Sequence, residues 1–169
     1  MDFLIQLLGI IAWIILTISY WQKKKLHLIT LQLIAYIMYA VHFLFLDGLS
    51  GALCNIAGII VLFLLLLKEK TKKQCLWMIL VILLLYIPIG IYSYDGIYSL
   101  FPIIASVVPL MSNWQKNISL IKIGGIIGSL CWLTYGIFVS SYATLITEII
   151  FIISTIISIF FNRKENKEK

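Results

Sequence analysis

SYWQKKK, at Ser19–Lys25, closes one long apolar run, and SNWQKN, at Ser112–Asn117, closes another. The two Ser-x-Trp-Gln-Lys segments stand 93 residues apart, Trp21 against Trp114. Carried along the chain without a gap, the same offset lays GIIAWIILTISYWQKKK (Gly9–Lys25) on PIIASVVPLMSNWQKNI (Pro102–Ile118). It then lays AYIMYAVHFLF (Ala35–Phe45) on GSLCWLTYGIF (Gly128–Phe138), and NIAGII (Asn55–Ile60) on EIIFII (Glu148–Ile153). Trp and Lys at a helix end are ordinary interfacial anchors. Two such ends in one ungapped register, with aromatic pairs following in step, read instead as an internal repeat.

Composition sets the medium in which this repeat folds. Hydrophobic residues make up 62% of the 169 and charged residues 12%, with a mean hydropathy of +1.07. A soluble domain carries about twice that charge. A hydrocarbon core about 30 Å thick needs roughly 20 apolar residues per helix. Seven apolar runs meet this need: Phe3–Tyr20, Leu26–Leu46, Leu49–Leu67, Cys75–Ile91, Gly96–Met111, Ile118–Val139 and Tyr142–Phe161. Helix is the reading for all seven, because an open strand edge cannot sit in lipid and strand alternation is absent. In the sixth run Lys122 falls in the first turn, where a long side chain is expected to snorkel to the headgroups.

Charge placement orients the spans. If the runs cross in turn, all 13 Lys and Arg residues fall on one side, whereas the opposite loops carry only Asp47 and Asp95, and the amino end Asp2. By the positive-inside rule the amino end is outside and the carboxyl end cytosolic. The net charge of +6 therefore reads as a cytosolic face beside anionic lipid, not as a nucleic-acid surface. No positive charge precedes the first apolar run, which argues against a cleaved leader. The 3 cysteines, Cys54, Cys75 and Cys131, are too few and too far apart for a disulfide framework or a metal site. No metal and no cofactor is expected.

The expected fold is an all-α membrane protein of seven transmembrane helices, in two parallel three-helix repeats joined by a linker helix. The repeats occupy residues 1–70 and 96–162, the linker span 71–95 and a basic cytosolic tail 163–169. One linker span is what lets both triplets keep the same direction through the membrane. Parallel repeats of this kind are a transporter pattern, with substrate held near the midplane where the halves meet.

Polar side chains inside spans are costly and mark helix partners or aqueous cavities. Glu148 is the acidic residue well inside a span, about two turns or roughly 10 Å below the outer end of its helix. Its repeat mate is Asn55, and the two are expected to face each other across the pseudo-symmetry axis. Sixteen residues before each stands an aromatic, Tyr39 before Asn55 and Trp132 before Glu148. One turn from each aromatic are His42 and Tyr135. Each residue also has a packing reading: a helix–helix hydrogen bond for Asn55, a hydrogen-bonded structural carboxyl for Glu148, and core filling for the aromatics and His42. Taken together, the six residues suit a small polar solute. Aromatic faces cover a sugar-like ring or attract a cation, Asn donates and accepts, and Glu accepts when ionised or binds a proton.

Two resemblances follow from these residues. The 3+1+3 layout, LCWLTYG at Leu130–Gly136 and the polar residue in the last helix resemble the SWEET, SemiSWEET and PQ-loop sugar-transporter superfamily. AVHFLFLDGLSGALCNIAG at Ala40–Gly58, with CWLTYGIF (Cys131–Phe138) and TEIIFI (Thr147–Ile152), resembles more closely the YgjV/Imp family of bacterial inner-membrane proteins. The transporter resemblance implies that Tyr39 and Trp132 take the places of aromatic clamps and Asn55 that of a sugar-binding Asn. Glu148 departs from that pattern and points towards a cationic solute or proton coupling. Pro109 is the hinge candidate; its repeat mate is Leu16, and no Pro occurs before Pro88.

The leading functional expectation is an alternating-access carrier of a small polar solute in the bacterial inner membrane. The competing one is an interaction or regulatory subunit that kept a carrier fold without its cycle. An enzyme is not expected, because no nucleophile elbow, paired acidic metal motif or phosphate-cradling glycine loop accompanies His42 and Glu148. A homo-oligomer is compatible with the sequence but not required, since one chain holds both repeats.

Overall fold

Each apolar run forms one α-helix in the computed structural model, which describes residues 2–45, 49–71, 77–92, 94, 96–97, 100–138 and 142–165. The helices are α1 (Asp2–Ser19), α2 (Lys25–Phe45), α3 (Leu49–Thr71), α4 (Trp77–Tyr92), α5 (Leu100–Ser112), α6 (Ile118–Phe138) and α7 (Tyr142–Glu165). No strand occurs among the described residues. Of the residues used for topology and redox chemistry, Asp47, Lys72, Lys73, Cys75, Asp95, Lys167 and Lys169 lie outside them. The fifth helix begins at Leu100 and not at Gly96; Gly96 has φ 102°, a left-handed turn conformation that glycine adopts without strain. By length and apolar composition, Ala52–Lys70 of α3 and Ile118–Tyr135 of α6 are each long enough to cross a membrane.

Ser-x-Trp-Gln is a helix terminus in both copies. Ser19 Oγ donates to the Leu16 carbonyl at 2.5 Å, and Ser112 Oγ donates to the Pro109 carbonyl at 2.7 Å. The next amides close in the same way: Trp21 N–H to Ile18 and Gln22 N–H to Ser19, against Trp114 N–H to Met111 and Gln115 N–H to Ser112. These tight i→i−3 bonds satisfy carbonyls that a helix end otherwise leaves open. The chain then re-enters helix, with Asn117 Oδ1 accepting from Ser119 N–H at 2.9 Å as the cap of α6.

Two units divide the chain, Met1–Ser93 and Tyr94–Lys169. In the first, α2 packs on α1 and α3, and α4 packs on α3. In the second, α6 packs on α5 and α7. By contact α2 and α6 are thus the middle helices, and α4 falls with the first unit. Tyr86 of α4 is buried, with its hydroxyl donating to the Cys54 carbonyl at 3.1 Å. At the lysine end of the first unit, Lys25 Nζ meets Glu69 Oε1 at 2.6 Å and clasps the start of α2 to the end of α3.

Lipid tails are as apolar as the side chains, so close helix approach depends on small residues at the contacts. Gly58 of α3 receives the Tyr36 ring of α2: a Cβ placed there would stand 2.3 Å from Tyr36 Cε1. Gly128 of α6 receives α5, where a Cβ would stand 2.5 Å from Pro109 Cγ and 2.8 Å from the Ala105 carbonyl oxygen. That carbonyl is the one whose i+4 partner is Pro109, a residue with no N–H to give. Pro109, the expected hinge, therefore sits in the α5/α6 contact while α5 continues past it, Asn113 N–H bonding the Pro109 carbonyl at 3.1 Å.

One expectation is overturned. Lys122 does not snorkel: its side chain is fully buried, and Nζ donates to Ser158 Oγ of α7 at 2.6 Å. Because α6 is enclosed by α5 on one side and α7 on the other, this face of its first turns meets a neighbouring helix before it meets headgroups.

Gly128→Ala is expected to lower the stability of the second unit by about 1–3 kcal/mol, since the added methyl meets backbone that cannot rotate away. Thermal melting of the purified variant in detergent checks this, and an unchanged melting temperature contradicts the close α5/α6 contact.

Candidate functional site

The residues singled out by the sequence lie on the second and third helices of each triplet. Tyr39 and His42 are on α2 and Asn55 on α3; Trp132 and Tyr135 are on α6 and Glu148 on α7. Tyr39, Asn55, Trp132, Tyr135 and Glu148 are half-buried, and His42 is buried. Spacing explains the grouping on α2 and α6. Residues three apart on a helix share one face, so Tyr39 with His42, and Trp132 with Tyr135, form neighbouring pairs.

In the second unit these residues form two contacts. The Trp132 and Tyr135 rings meet edge to face, with centroids 6.0 Å apart and an interplanar angle of 75°. This geometry sets the positive edge of one ring on the negative face of the other and fixes both side chains. Glu148 accepts a hydrogen bond from Ser129 Oγ at 2.5 Å, so α6 and α7 are joined at the one carboxyl of the apolar seventh span.

In the first unit the arrangement differs. His42 turns towards α1, its Nδ1 standing 2.8 Å from the Ile5 carbonyl oxygen. A carbonyl can only accept, so Nδ1 carries the proton in that bond. The imidazole also lies against Gly9, where a Cβ would stand 2.8 Å from Cε1. His42 therefore has the helix–helix contact that its packing reading requires. Asn55 and Glu148 belong to different units.

Ser129 was not among the residues the sequence singled out, although it is the partner of Glu148. The repeat register carries a signal for it. Ser129 is the mate of Tyr36, and Phe151 the mate of Gly58. In the first unit a large α2 residue, Tyr36, lies on a small α3 residue, Gly58. In the second the sizes are exchanged, with a small buried Ser129 on α6 and a large buried Phe151 on α7. The exchange leaves room for a carboxyl beside Ser129, one turn from Phe151.

Seven apolar helices, tight glycine contacts and polar side chains held between helices define a helical membrane protein. A family model described as a bacterial inner membrane protein, Imp-YgjV, matches residues 3–166. The chain belongs to this family of bacterial inner membrane proteins. Neither the curated proteins nor the solved structures give a match.

Ser129→Ala is expected to cost about 1–3 kcal/mol, because it removes the donor that Glu148 uses inside the bundle. Thr134→Ala, whose hydroxyl only bonds back to the Leu130 carbonyl of its own helix, is the control and is expected to cost less than half as much. Melting curves of both variants in detergent decide it.

Proposed function

We propose that this inner membrane protein is a carrier for a small polar solute, sugar-like or cationic, working by alternating access of two three-helix repeats. The observation that carries the reading is the Ser129–Glu148 pair. An acidic side chain in an apolar helix is expensive, and here α6 supplies a hydroxyl to keep it. An edge-to-face aromatic pair, Trp132 and Tyr135, stands on the same helix as that hydroxyl. Aromatic faces and a carboxylate together suit a solute with a cationic or hydroxyl-rich surface. Tyr39 and Asn55 would serve the same solute from the first repeat.

Support for the duplication comes from the helix ends and helix contacts. The same Ser-to-carbonyl and amide-to-carbonyl bonds close α1 and α5. Buried Ala12 and Ala105 fall in one register, as do buried Tyr20 and Asn113. In this reading α4 is the linker that keeps the triplets parallel. All the basic residues then face the cytosol and its anionic lipids, with the amino end outside.

A second reading, a non-transporting interaction subunit, is favoured by His42, which is engaged with the Ile5 carbonyl, and by the lack of a proline mate for Pro109.

Two experiments test the proposal. Purified protein is screened for thermal stabilisation by sugars, amines, nucleosides and amino acids. The expected hit is lost in Asn55→Ala and in Glu148→Gln while both variants still insert; a hit that survives both sinks the assigned site. The duplication is tested by moving one unit's packing into the other. Gly58→Phe alone and Tyr36→Ser alone are each expected to lower the melting temperature. The double variant, which installs the sizes of the Ser129/Phe151 pair, recovers at least half the loss. Additive losses contradict equivalent packing.

A further inference from the structure

The seam between α6 and α7 holds a second polar contact besides Ser129–Glu148. Lys122 Nζ donates to Ser158 Oγ at 2.6 Å, and both side chains are buried. Along α6, Lys122 and Ser129 are seven residues apart, which is roughly 10 Å of helix. Along α7, Phe151, Thr155 and Ser158 recur at helical spacing and are all buried, continuing the line from Glu148. Thr155 Oγ1 on this line is enclosed and has no hydrogen-bond partner. Gly125 of α6 is buried between the two contacts and brings no side chain to fill the seam.

The first unit is apolar at the matching positions. At the register positions of Lys122, Thr155 and Ser158 it carries Ile29, Leu62 and Leu65, all fully buried. An apolar seam therefore suffices for packing at these positions. A Lys, a Thr and a Ser there are a cost that packing alone does not require.

We propose that the α6/α7 seam is a proton-binding site, with Glu148 taking up and releasing the proton and Lys122 as its fixed counter-charge. The inference rests on the carrier reading only for its purpose, the identity of the driving ion. Uptake forms an O–H bond on the Glu148 carboxylate with a proton delivered by water. The Ser129 hydrogen bond then reverses, the carboxyl donating and Ser129 Oγ accepting. Release breaks the same O–H bond and restores the first arrangement. Ser129 suits both states because a hydroxyl donates and accepts. Thr155 offers a further hydroxyl between the two groups, to which a water in the seam can bond.

Few other groups compete for this role. Within its unit α7 packs on α6, whose remaining titratable side chains are Cys131 and Tyr135. On α7 itself Tyr142, Arg163, Lys164 and Glu165 stand at the two ends, and α5, on the other side of α6, has no titratable side chain.

The test uses the proton itself as probe, so it does not depend on the solute. Protein in lipid nanodiscs is titrated from about pH 4 to 9, a span that brackets ordinary carboxyl and imidazole values, while the infrared carbonyl band of a protonated carboxyl is followed. The expected result is a band that disappears within this range and is missing in Glu148→Gln. Lys122→Gln keeps a donor for Ser158 but removes the charge. It is expected to move the pH of half-loss upward by about one unit, because a positive charge nearby favours the carboxylate. Lys122→Ile with Ser158→Leu installs the apolar pair of the first unit, secures folding and is expected to shift the band in the same direction. A Glu148 band that never changes over the range, or one that neither Lys122 variant moves, overturns the proposal. Either failure leaves the solute screen unaffected, so the proton site can fall while the carrier stands.

Discussion

Backbone hydrogen bonding in an apolar medium is the constraint on which everything else in this protein depends. Hydrocarbon offers no partner for an open N–H or C=O, so each segment that enters it must satisfy its own backbone. The seven apolar runs do so as helices. Apart from the carbonyls that face Pro88 and Pro109, the helix ends are what leave carbonyls open, and at the ends of α1 and α5 the sequence places Ser-x-Trp-Gln, whose hydroxyl and amides fold back on the last turn. The repeated motif is therefore a helix terminus twice over, with Trp21 and Trp114 just past the end.

Once the backbone is satisfied, what remains is to bring helices together without a hydrophobic force between them. Glycine contacts supply the close approach: Gly9 under His42, Gly58 under Tyr36, Gly128 under Pro109. Each pairs a residue with no side chain with a bulky one on the facing helix. This arrangement also settles which polar groups meet. His42 reaches the Ile5 carbonyl because Gly9 lets its ring in. Glu148 reaches Ser129 where the second unit keeps its α6 residue small.

The two units thus distribute polarity differently. The first buries Ile29, Leu62 and Leu65 on α2 and α3, and pairs Lys25 with Glu69 at its lysine end. The second carries Lys122 and Glu148 into its interior, each with a hydroxyl from the opposite helix.

By itself the sequence determined the seven helices and their ends to within a few residues, because each depends on local composition: apolar run length and the Ser-x-Trp-Gln terminus. It also picked out Glu148, since a carboxyl inside an apolar run is conspicuous anywhere. Only the tertiary structure decided which way each polar side chain turns. These helices are apolar on nearly every face, so periodicity gives little sign of which stripe meets a neighbour. Lys122 could be expected to snorkel until α7 was seen to present Ser158 to it. Ser129 could not be matched to Glu148, nor His42 to Ile5, before the rotation of each helix about its axis was known. That rotation is set by how glycines and bulky residues interlock between helices that sequence alone does not put in contact.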